Sequence, residues 1–359
     1  MSVTPNVIAV TGGSGFIGSA VCRHLIAQGY EVHNIDKLTY SATAGSTAAI
    51  ADHPNYHFHR LDILDRAAVL TLLQAHRIDA IMHLAAESHV DRSIDSPADF
   101  VMTNVVGTYT LLDAALEYWR SLDTAAAARF RFHLISTDEV FGDLPLDSGV
   151  FTEETPYAPS SPYSASKASA DHLARAWHHT FGLPVVLSNC SNNYGPFHFP
   201  EKLIPLVILN ALDERPLPIY GQGLNVRDWL HVEDHARALE LVMRDGRVGE
   251  SYVVGGRAER RNIDVVETIC AILDRRVPRA TGSYRDLIAM VSDRPGHDRR
   301  YAIDPGRIER ELGWSAHYDF GSGLEQTIDW FLANRWWWEP LRAHAGERLG
   351  EARSVPARH

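Results

Sequence analysis

Short apolar runs alternate with longer amphipathic segments over the first half of the chain. Strands are predicted at 7–10, 32–35, 56–60, 80–84 and 132–135. Between them, apolar residues recur at helical spacing, most clearly over 98–120 and 164–180. Strands that alternate with helices indicate an α/β fold with a Rossmann-type, doubly wound parallel sheet.

The pattern changes after Cys190, where prolines and glycines become dense and the strand–helix rhythm weakens. A helix at 230–242 and a strand at 251–256 then resume it. We therefore predict a smaller substrate-binding lobe interleaved with the first domain. The predicted divisions are a Rossmann domain over 1–190 with 223–256 returning to it, a lobe over 191–222 and 257–330, and a C-terminal tail over 331–359.

A glycine-rich turn joins the first strand to the first helix. Gly12, Gly15 and Gly18 stand in this turn, and Asp36 ends the second strand 18 positions after Gly18. Such glycines let the main chain approach a pyrophosphate at the N-terminus of a helix. An acid at the end of the second strand accepts hydrogen bonds from a ribose and repels a 2′-phosphate. The turn predicts a dinucleotide site that favours NAD over NADP.

The amino-acid composition restricts the classes of partner that this protein can have. The chain has 34 basic and 45 acidic residues and a formal net charge of −11, which argues against nucleic acid or an anionic membrane as a partner. No apolar run approaches the roughly 20 residues that span a bilayer. The first residues lack a signal-peptide pattern, and three widely spaced cysteines suggest neither disulfides nor a metal site. We therefore expect a cytoplasmic protein without a metal.

Candidate catalytic groups follow the strand at 132–135. Thr137, Asp138 and Glu139 stand where ligands bind in doubly wound sheets, so we expect them to face a bound cofactor. Tyr163 and Lys167 lie four residues apart on a predicted helix, hence on one face. A nearby ammonium and a positive nicotinamide would lower the pKa of the tyrosine, which could then take the proton of a substrate alcohol.

Six segments together resemble the dTDP-glucose 4,6-dehydratase family, in the nucleotide-sugar branch of the extended short-chain dehydrogenase/reductase superfamily. They are STDEVFGDLP, HLAAESHVDRSI, SPYSASKASADHL, SNNYGPFHFPEKLIPL, VRDWLHVEDHARAL and DRPGHDRRYAID. The resemblance extends from about residue 7 to residue 330. It implies a hydro-lyase of deoxysugar biosynthesis that acts on dTDP-glucose and forms a homodimer through the two long helices.

The resemblance also implies roles for the catalytic residues. Tyr163, with Lys167 beside it, would take the C4 hydroxyl proton, while NAD takes the C4 hydride and later returns it to C6. Thr137 would hydrogen-bond the C4 oxygen. Glu139 would remove the C5 proton and Asp138 would protonate the departing C6 oxygen. Neighbouring carboxyl groups shift each other's pKa apart, which allows one to be a base and the other an acid.

The remaining site residues are implied by the matching segments. Those expected around NAD are Gly12, Gly15, Phe16, Ile17, Gly18, Asp36, Lys37, Leu38, Thr39, Asp62, Ile63, Leu84, Ala85, Ala86, Thr103, Tyr163, Lys167 and Asn193. Those expected around the nucleotide sugar are Ser88, Thr137, Asn192, Lys202, Leu203, Pro218, Ile219, Tyr220, Arg227, Asn262, Asp293, Arg294, Pro295, Gly296 and His297. The guanidinium groups of Arg227 and Arg294 suit a diphosphate.

Two alternatives stay open at this point. One is another NAD-dependent enzyme of the same branch, either a different nucleotide-sugar dehydratase or a UDP-sugar epimerase. Epimerases need Tyr163 and Lys167 but no acid–base pair for elimination, so Asp138 and Glu139 argue against them. The other is a non-catalytic NAD-binding regulator, which would have no reason to keep these four residues together. The sequence does not distinguish a rhamnose pathway from another deoxysugar pathway.

Overall fold

A computed structural model describes residues 5–293 and 296–342. The elements up to Cys190 are β1 (Val7–Thr11), α1 (Phe16–Ala27), β2 (Glu31–Asp36), β3 (Tyr56–Arg60), α2 (Arg66–His76), β4 (Ala80–His83), α3 (Val90–Asp95), α4 (Pro97–Phe100), α5 (Gly107–Ser121), α6 (Thr124–Arg129), β5 (Arg131–Thr137), α7 (Pro162–Phe181) and β6 (Val185–Cys190). A π-helical turn (Val101–Val106) joins α4 to α5, so the helix predicted at 98–120 is continuous but changes its hydrogen-bond spacing.

The elements after Cys190 alternate between the two halves of the molecule. They are β7 (Asn192–Tyr194), α8 (Leu203–Leu212), β8 (Leu217–Tyr220), β9 (Val226–His231), α9 (Val232–Asp245), β10 (Ser251–Val254), β11 (Glu259–Arg261), α10 (Asn262–Arg276), β12 (Ile288–Val291), α11 (Gly306–Leu312), α12 (Phe320–Ala333) and α13 (Arg335–Arg342). None of the helices in these described parts of the chain is long and apolar enough to cross a membrane.

Seven parallel strands form the main sheet in the order β10-β6-β5-β4-β1-β2-β3. The predicted Rossmann-type fold is therefore confirmed. The chain moves outward from β1 through β3 and then restarts at β4 on the other side of β1. This reversal opens a crevice at the carboxyl ends of β1 and β4, the position at which such sheets bind ligands.

Alternate residues of the strands bury opposite faces of the sheet. Ala9 and Ile81 pack with α2, α5 and α7 on one face. Ile8, Val10 and Met82 pack with α1 and α9 on the other. Because both faces are covered by helices, β1 and β4 are mostly apolar and are buried at nearly every position.

The smaller lobe contains a three-stranded sheet, β11-β9-β7, and the pair β12-β8. Its core lies between α8, α10 and α12. We expected residues 223–256 to return to the Rossmann domain. Helix α9 and strand β10 pack there, whereas strand β9 joins the sheet of the smaller lobe. The helix expected at 230–242 accordingly begins at Val232, because the two residues before it pair in β9.

The C-terminal tryptophans mostly belong to the lobe core. Trp337 and Trp338 are buried, whereas Trp336 is 58% exposed. Trp337 also donates a hydrogen bond to the Ser46 hydroxyl at 3.2 Å, which links the tail to the Rossmann half. The start of the predicted tail is therefore packed structure, and residues 343–359 lie outside the described part.

Candidate active site

A cavity of about 340 Å³ opens at the carboxyl edge of the main sheet. All residues predicted to surround NAD line it except Leu38. Five residues predicted for the nucleotide sugar also line it, namely Ser88, Thr137, Asn192, Lys202 and Leu203. The fold thus brings together residues that are separated by up to 191 positions in the chain, from Gly12 to Leu203.

The glycine turn forms the part of the cavity nearest β1. A Cβ atom on Gly12 would lie 2.8 Å from the Ala85 main chain, and one on Gly18 would lie 2.1 Å from the Gly12 carbonyl oxygen. Gly12 also has a φ of +70°, which favours glycine. Helix α1 begins directly after Gly15, without a side chain capping its free N–H groups. This cradle of main-chain donors fits a pyrophosphate.

Asp36 is held at the end of β2 by two main-chain donors. Its carboxylate accepts hydrogen bonds from the Ser14 N–H at 3.0 Å and from the Leu38 N–H at 2.8 Å. Leu38 has a φ of +58° and turns the chain so that Lys37 and Thr39, but not Leu38, line the cavity. Lys37 forms an ion pair with Asp62 at 3.2 Å. Asp36 is therefore fixed at the cavity wall, and its contact with a ribose stays a prediction.

Thr137, Asp138 and Glu139 follow β5 as a short 3₁₀ turn. The Thr137 hydroxyl accepts from the Glu139 N–H at 3.2 Å and donates to Asp138 Oδ1 at 3.3 Å. Thr137 and Glu139 line the cavity. Asp138 does not, although we expected all three to face the ligand. Side chains of successive residues after a strand point in different directions. The Asp138 side chain, between those of Thr137 and Glu139, therefore points into the protein interior.

Asp138 is buried, and its Oδ2 atom has no hydrogen-bond partner among the described residues. Burial raises its pKa well above 3.8, and the Glu139 and Asp228 carboxylates raise it further. The protonated form of Asp138 is therefore favoured more strongly than in a free aspartate. The division of Asp138 and Glu139 into an acid and a base stays a prediction.

Tyr163 and Lys167 lie on α7, and both line the cavity. Their helix begins at a capping box formed by Ser161 and Ser164. Burial and the Glu139 carboxylate raise the pKa of Tyr163 well above 10, so the protein's own groups do not produce the lowering that we predicted. Lys167 donates to the Ile135 carbonyl oxygen at 2.8 Å, and burial lowers its pKa.

Asp171 is a charged neighbour of this pair that the sequence analysis missed. It is buried one helical turn beyond Lys167 and accepts hydrogen bonds from Ser136 and Tyr157 at 2.8 Å and from Asn189 at 3.2 Å. The i,i+4 spacing to Lys167 was a signal that could have revealed it. The sequence analysis also missed two glutamates and a histidine that line the cavity, namely Glu87, Glu201 and His198. Glu87 and Glu201 are adjacent to the predicted residues Ser88 and Lys202.

The other predicted substrate residues lie outside the cavity lining. Those in the described part are Pro218, Ile219, Tyr220, Arg227, Asn262, Asp293, Gly296 and His297. Tyr220 donates to Asp91 at 3.0 Å, and His297 contacts Asp293 at 2.6 Å. The buried Arg227 donates to the Asp298 carbonyl oxygen at 2.9 Å. Arg294 and Pro295 lie outside the described residues, so their predicted contacts with the substrate stay predictions.

Comparison with known proteins agrees with this geometry. A family model described as GDP-mannose 4,6 dehydratase matches residues 9–327. A probable dTDP-glucose 4,6-dehydratase of Sinorhizobium fredii is 58% identical over 345 residues, which are 96% of this chain and 98% of that protein. The dTDP-glucose 4,6-dehydratase of Salmonella typhimurium is 57% identical, over 94% of this chain and 96% of that protein. This chain belongs to the dTDP-glucose 4,6-dehydratases.

A solved structure supports the same placement among the dTDP-glucose 4,6-dehydratases. DesIV, a dTDP-glucose 4,6-dehydratase from Streptomyces venezuelae, was crystallised with NAD and TYD bound. Its TM-score to this chain is 0.85 at 44% identity, over 93% of this chain and 99% of DesIV. The family predicted from the six sequence segments is confirmed.

Proposed function

We propose that this protein converts dTDP-glucose to dTDP-4-keto-6-deoxyglucose with NAD as a retained cofactor. The observation that carries the proposal is that Glu139 and Tyr163 line a cavity that contains a dinucleotide cradle, with the buried Asp138 next to Glu139. A UDP-sugar epimerase or a regulator would not require an acid at Asp138. The names of the relatives favour the dehydratase over both alternatives.

Oxidation at C4 requires a group that removes the hydroxyl proton. Tyr163 faces the cavity beside Thr137, whose hydroxyl is our candidate for a hydrogen bond to the C4 oxygen. When bound, NAD would supply the hydride acceptor at C4 and, in its reduced form, the hydride donor at C6. Its positive charge would also favour the phenolate form of Tyr163. Lys167 adds a second positive charge from the same helix face.

Elimination across C5 and C6 requires a base and an acid. Glu139 lines the cavity and is our candidate for removing the C5 proton. The raised pKa of Asp138 favours its protonated form, and the residue lies behind Thr137, to which it is hydrogen-bonded. We assign the protonation of the C6 oxygen to Asp138, which must turn towards the cavity to deliver its proton.

We further propose that the enzyme is a homodimer that pairs its long helices. Val101, Met102 and Tyr109 are 50%, 48% and 47% exposed on the π-helical turn and α5. Met102 lies on the π-helical turn and Tyr109 on α5, so both belong to the same continuous helix. Phe181 is 39% exposed at the end of the neighbouring α7. A permanent interface over these helices would bury more than about 1,500 Å².

A cytoplasmic location is also part of the proposal. Cys22, Cys190 and Cys270 are buried and unpaired, as expected in a reducing compartment. The product is a 4-keto-6-deoxy sugar nucleotide, which can enter rhamnose synthesis or the synthesis of another deoxysugar.

The test uses purified enzyme and a panel of dTDP-, UDP- and GDP-linked hexoses in D₂O, with mass spectrometry of the products. We expect a 4-keto-6-deoxy product from dTDP-glucose that carries solvent deuterium at C5. With Glu139→Gln, no deuterium should enter C5 and no product should form. A 4-epimer as the product, or normal turnover by Glu139→Gln, would contradict the proposal. Glu154→Gln, on the exposed loop after Phe151, is the matched control and should leave the product unchanged.

A further inference from the structure

Four histidines and one glutamate gather at the edge of the main sheet. We call these residues, Glu31, His33, His57, His59 and His76, the edge histidine cluster. The ligand atoms of His33, His59 and His76 all lie within 4.8 Å of one another. The proposed reaction uses none of these residues, and none of them lines the cavity.

The register of two strands and the end of one helix create the cluster. His33 lies opposite His57, and Ile35 lies opposite His59, so all three histidines face the same side of the sheet. Helix α2 covers this side, and His76 is its last residue. His33 is buried and His76 is exposed, so the cluster runs from the protein interior to solvent.

Hydrogen bonds fix which nitrogen of His33 carries its lone pair. His33 Nε2 lies 3.0 Å from Glu31 Oε1. A carboxylate can only accept, so Nε2 holds the hydrogen and Nδ1 holds the lone pair. Nδ1 lies 2.9 Å from His59 Nε2, which donates to it. The Nδ1 lone pair of the buried His33 ring therefore points towards His59, and one hydrogen bond joins the two rings.

We propose that His33, His59 and His76 bind a divalent transition-metal ion, with zinc as the expected occupant. The metal would replace the proton shared by His33 Nδ1 and His59 Nε2. Glu31 would keep its hydrogen bond to His33 Nε2 and orient that ring, as carboxylates commonly do behind metal-binding histidines. Three imidazoles suit zinc, copper or nickel far better than magnesium or calcium, which prefer oxygen ligands.

The distances allow such a site after small side-chain movements. Zinc binds imidazole nitrogen at about 2.0–2.1 Å, so tetrahedral ligand nitrogens lie about 3.4 Å apart. His33 and His59 are closer than this at 2.9 Å, and the remaining separations reach at most 4.8 Å. His76 is exposed at the end of a helix and can close the gap by rotation. A fourth position stays open for water or for the neighbouring His57.

The metal site would connect three secondary-structure elements at the β3 edge of the main sheet. β3 is the last strand of the sheet, and the metal would link it to β2 and α2. His59 stands two residues before Leu61, which lines the cavity together with Asp62 and Ile63. We therefore expect the metal to stabilise the edge strand and the cofactor side of the cavity that follows it.

The experiment uses the full-length protein without an affinity tag, dialysed against a chelator and then titrated with Zn²⁺ alone. Calorimetry gives the stoichiometry, and Co²⁺ in place of Zn²⁺ gives a visible absorption band if nitrogen ligands surround it. The variants are His76→Ala, His57→Ala and Glu31→Gln. His317→Ala is the control, because His317 is exposed and is not part of the edge histidine cluster. His76, His57 and His317 are not buried, so these replacements should leave the fold intact.

We expect one equivalent of Zn²⁺ per chain and a higher thermal midpoint with zinc present. Glu31→Gln should weaken binding by about 10–100-fold, the usual effect of removing a group that orients a ligand. His76→Ala should weaken binding more than this, and His317→Ala should not change it. Absence of a stoichiometric site in the wild type would overturn the proposal. Binding that His76→Ala retains but His57→Ala loses would overturn the assignment of the three ligands.

Discussion

Asp171 lies one helical turn beyond Lys167 on α7, and both side chains are buried. Burial lowers the pKa of Lys167 and raises that of Asp171, while the attraction between their charges opposes both shifts. Lys167 lines the cavity, whereas Asp171 is held behind it by Ser136, Tyr157 and Asn189. We infer that the Asp171 carboxylate favours the charged form of Lys167.

Replacing Asp171 by asparagine tests this relationship. Without the negative charge, the pKa of Lys167 should fall further, so the lysine loses its proton at a lower pH. We expect the alkaline limb of the kcat profile to move to lower pH and kcat at pH 8 to fall by about 10-fold or more, about 1.4 kcal/mol in the barrier. Steady-state kinetics from pH 6 to pH 10 measures this.

Asp264→Asn is the matched control for Asp171→Asn. Asp264 is also a helical aspartate paired with a basic residue, Arg261, but it lies at the surface of α10. Its replacement should leave the pH profile unchanged. An equal loss of kcat at every pH in Asp171→Asn would indicate damage to the packing and not a change in the charge of Lys167.

Asp138 should make the protein less stable as the pH rises. Its pKa is raised in the folded chain, so between pH 3.8 and that raised pKa the folded state holds more protons than the unfolded state. The free energy of unfolding therefore decreases as pH rises through this window. Asp138→Asn has nearly the shape of a protonated aspartate but cannot ionise, so its gain in stability over the wild type should be smaller near pH 5 than near pH 9.

Urea unfolding at pH 5 and pH 9 measures the difference in the free energy of unfolding between the variant and the wild type. Steady-state kinetics measures how much the replacement slows the reaction. Asp138→Asn should slow product formation by about 10²–10⁴-fold, the usual contribution of a general acid, while still exchanging the C5 proton. Asp147→Asn, at an exposed position, should change neither quantity. A variant less stable than the wild type at both pH values would show that Asp138 is ionised in the folded protein.

Asp36 should set the preference for NAD over NADP. Its carboxylate is fixed by Ser14 and Leu38, so it cannot swing away from a 2′-phosphate. Asp36→Asn should bind NADP⁺ at least about tenfold more tightly than the wild type, a gain of about 1.4 kcal/mol. Equilibrium binding of both dinucleotides measures this.

The control for Asp36 is a second carboxylate in the same cavity. Asp62→Asn should weaken NAD⁺ and NADP⁺ by similar factors, because Asp62 pairs with Lys37 and is predicted to lie beside the adenine. If Asp62→Asn changed the ratio of the two affinities as much as Asp36→Asn, the assignment of the ribose contact would be wrong.

A charge on the exposed helix face should separate the proposed dimer. Met102 is 48% exposed on the π-helical turn before α5. Met102→Asp would bury a carboxylate in the interface, at a cost of several kcal/mol. Light scattering at micromolar concentration should give twice the chain mass for the wild type and a single chain mass for the variant. Met290→Asp, at a 55% exposed position in the lobe, should stay dimeric. A monomeric wild type would contradict the proposal.

The sequence by itself determined six of the seven strands of the main sheet, the glycine turn and the spacing of Tyr163 and Lys167 on α7, but it missed β6. Each depends on local periodicity or on turn chemistry within a few residues. Gly12 needs a positive φ and a close neighbour, and Tyr163 and Lys167 share a face because helices repeat every 3.6 residues. The family resemblance added the set of cavity residues, because its segments surround one cavity although they are distant in the chain.

Only the tertiary structure decided which of these groups meet and in what environment. Asp138 turns inward while Glu139 faces the cavity, and burial rather than a nearby ammonium dominates the pKa of Tyr163. β9 joins the lobe sheet although the helix after it packs on the main sheet. The edge histidine cluster likewise requires the register of β2 and β3 and the end of α2. Strand register, side-chain direction and desolvation depend on contacts between distant segments, so local patterns cannot specify them.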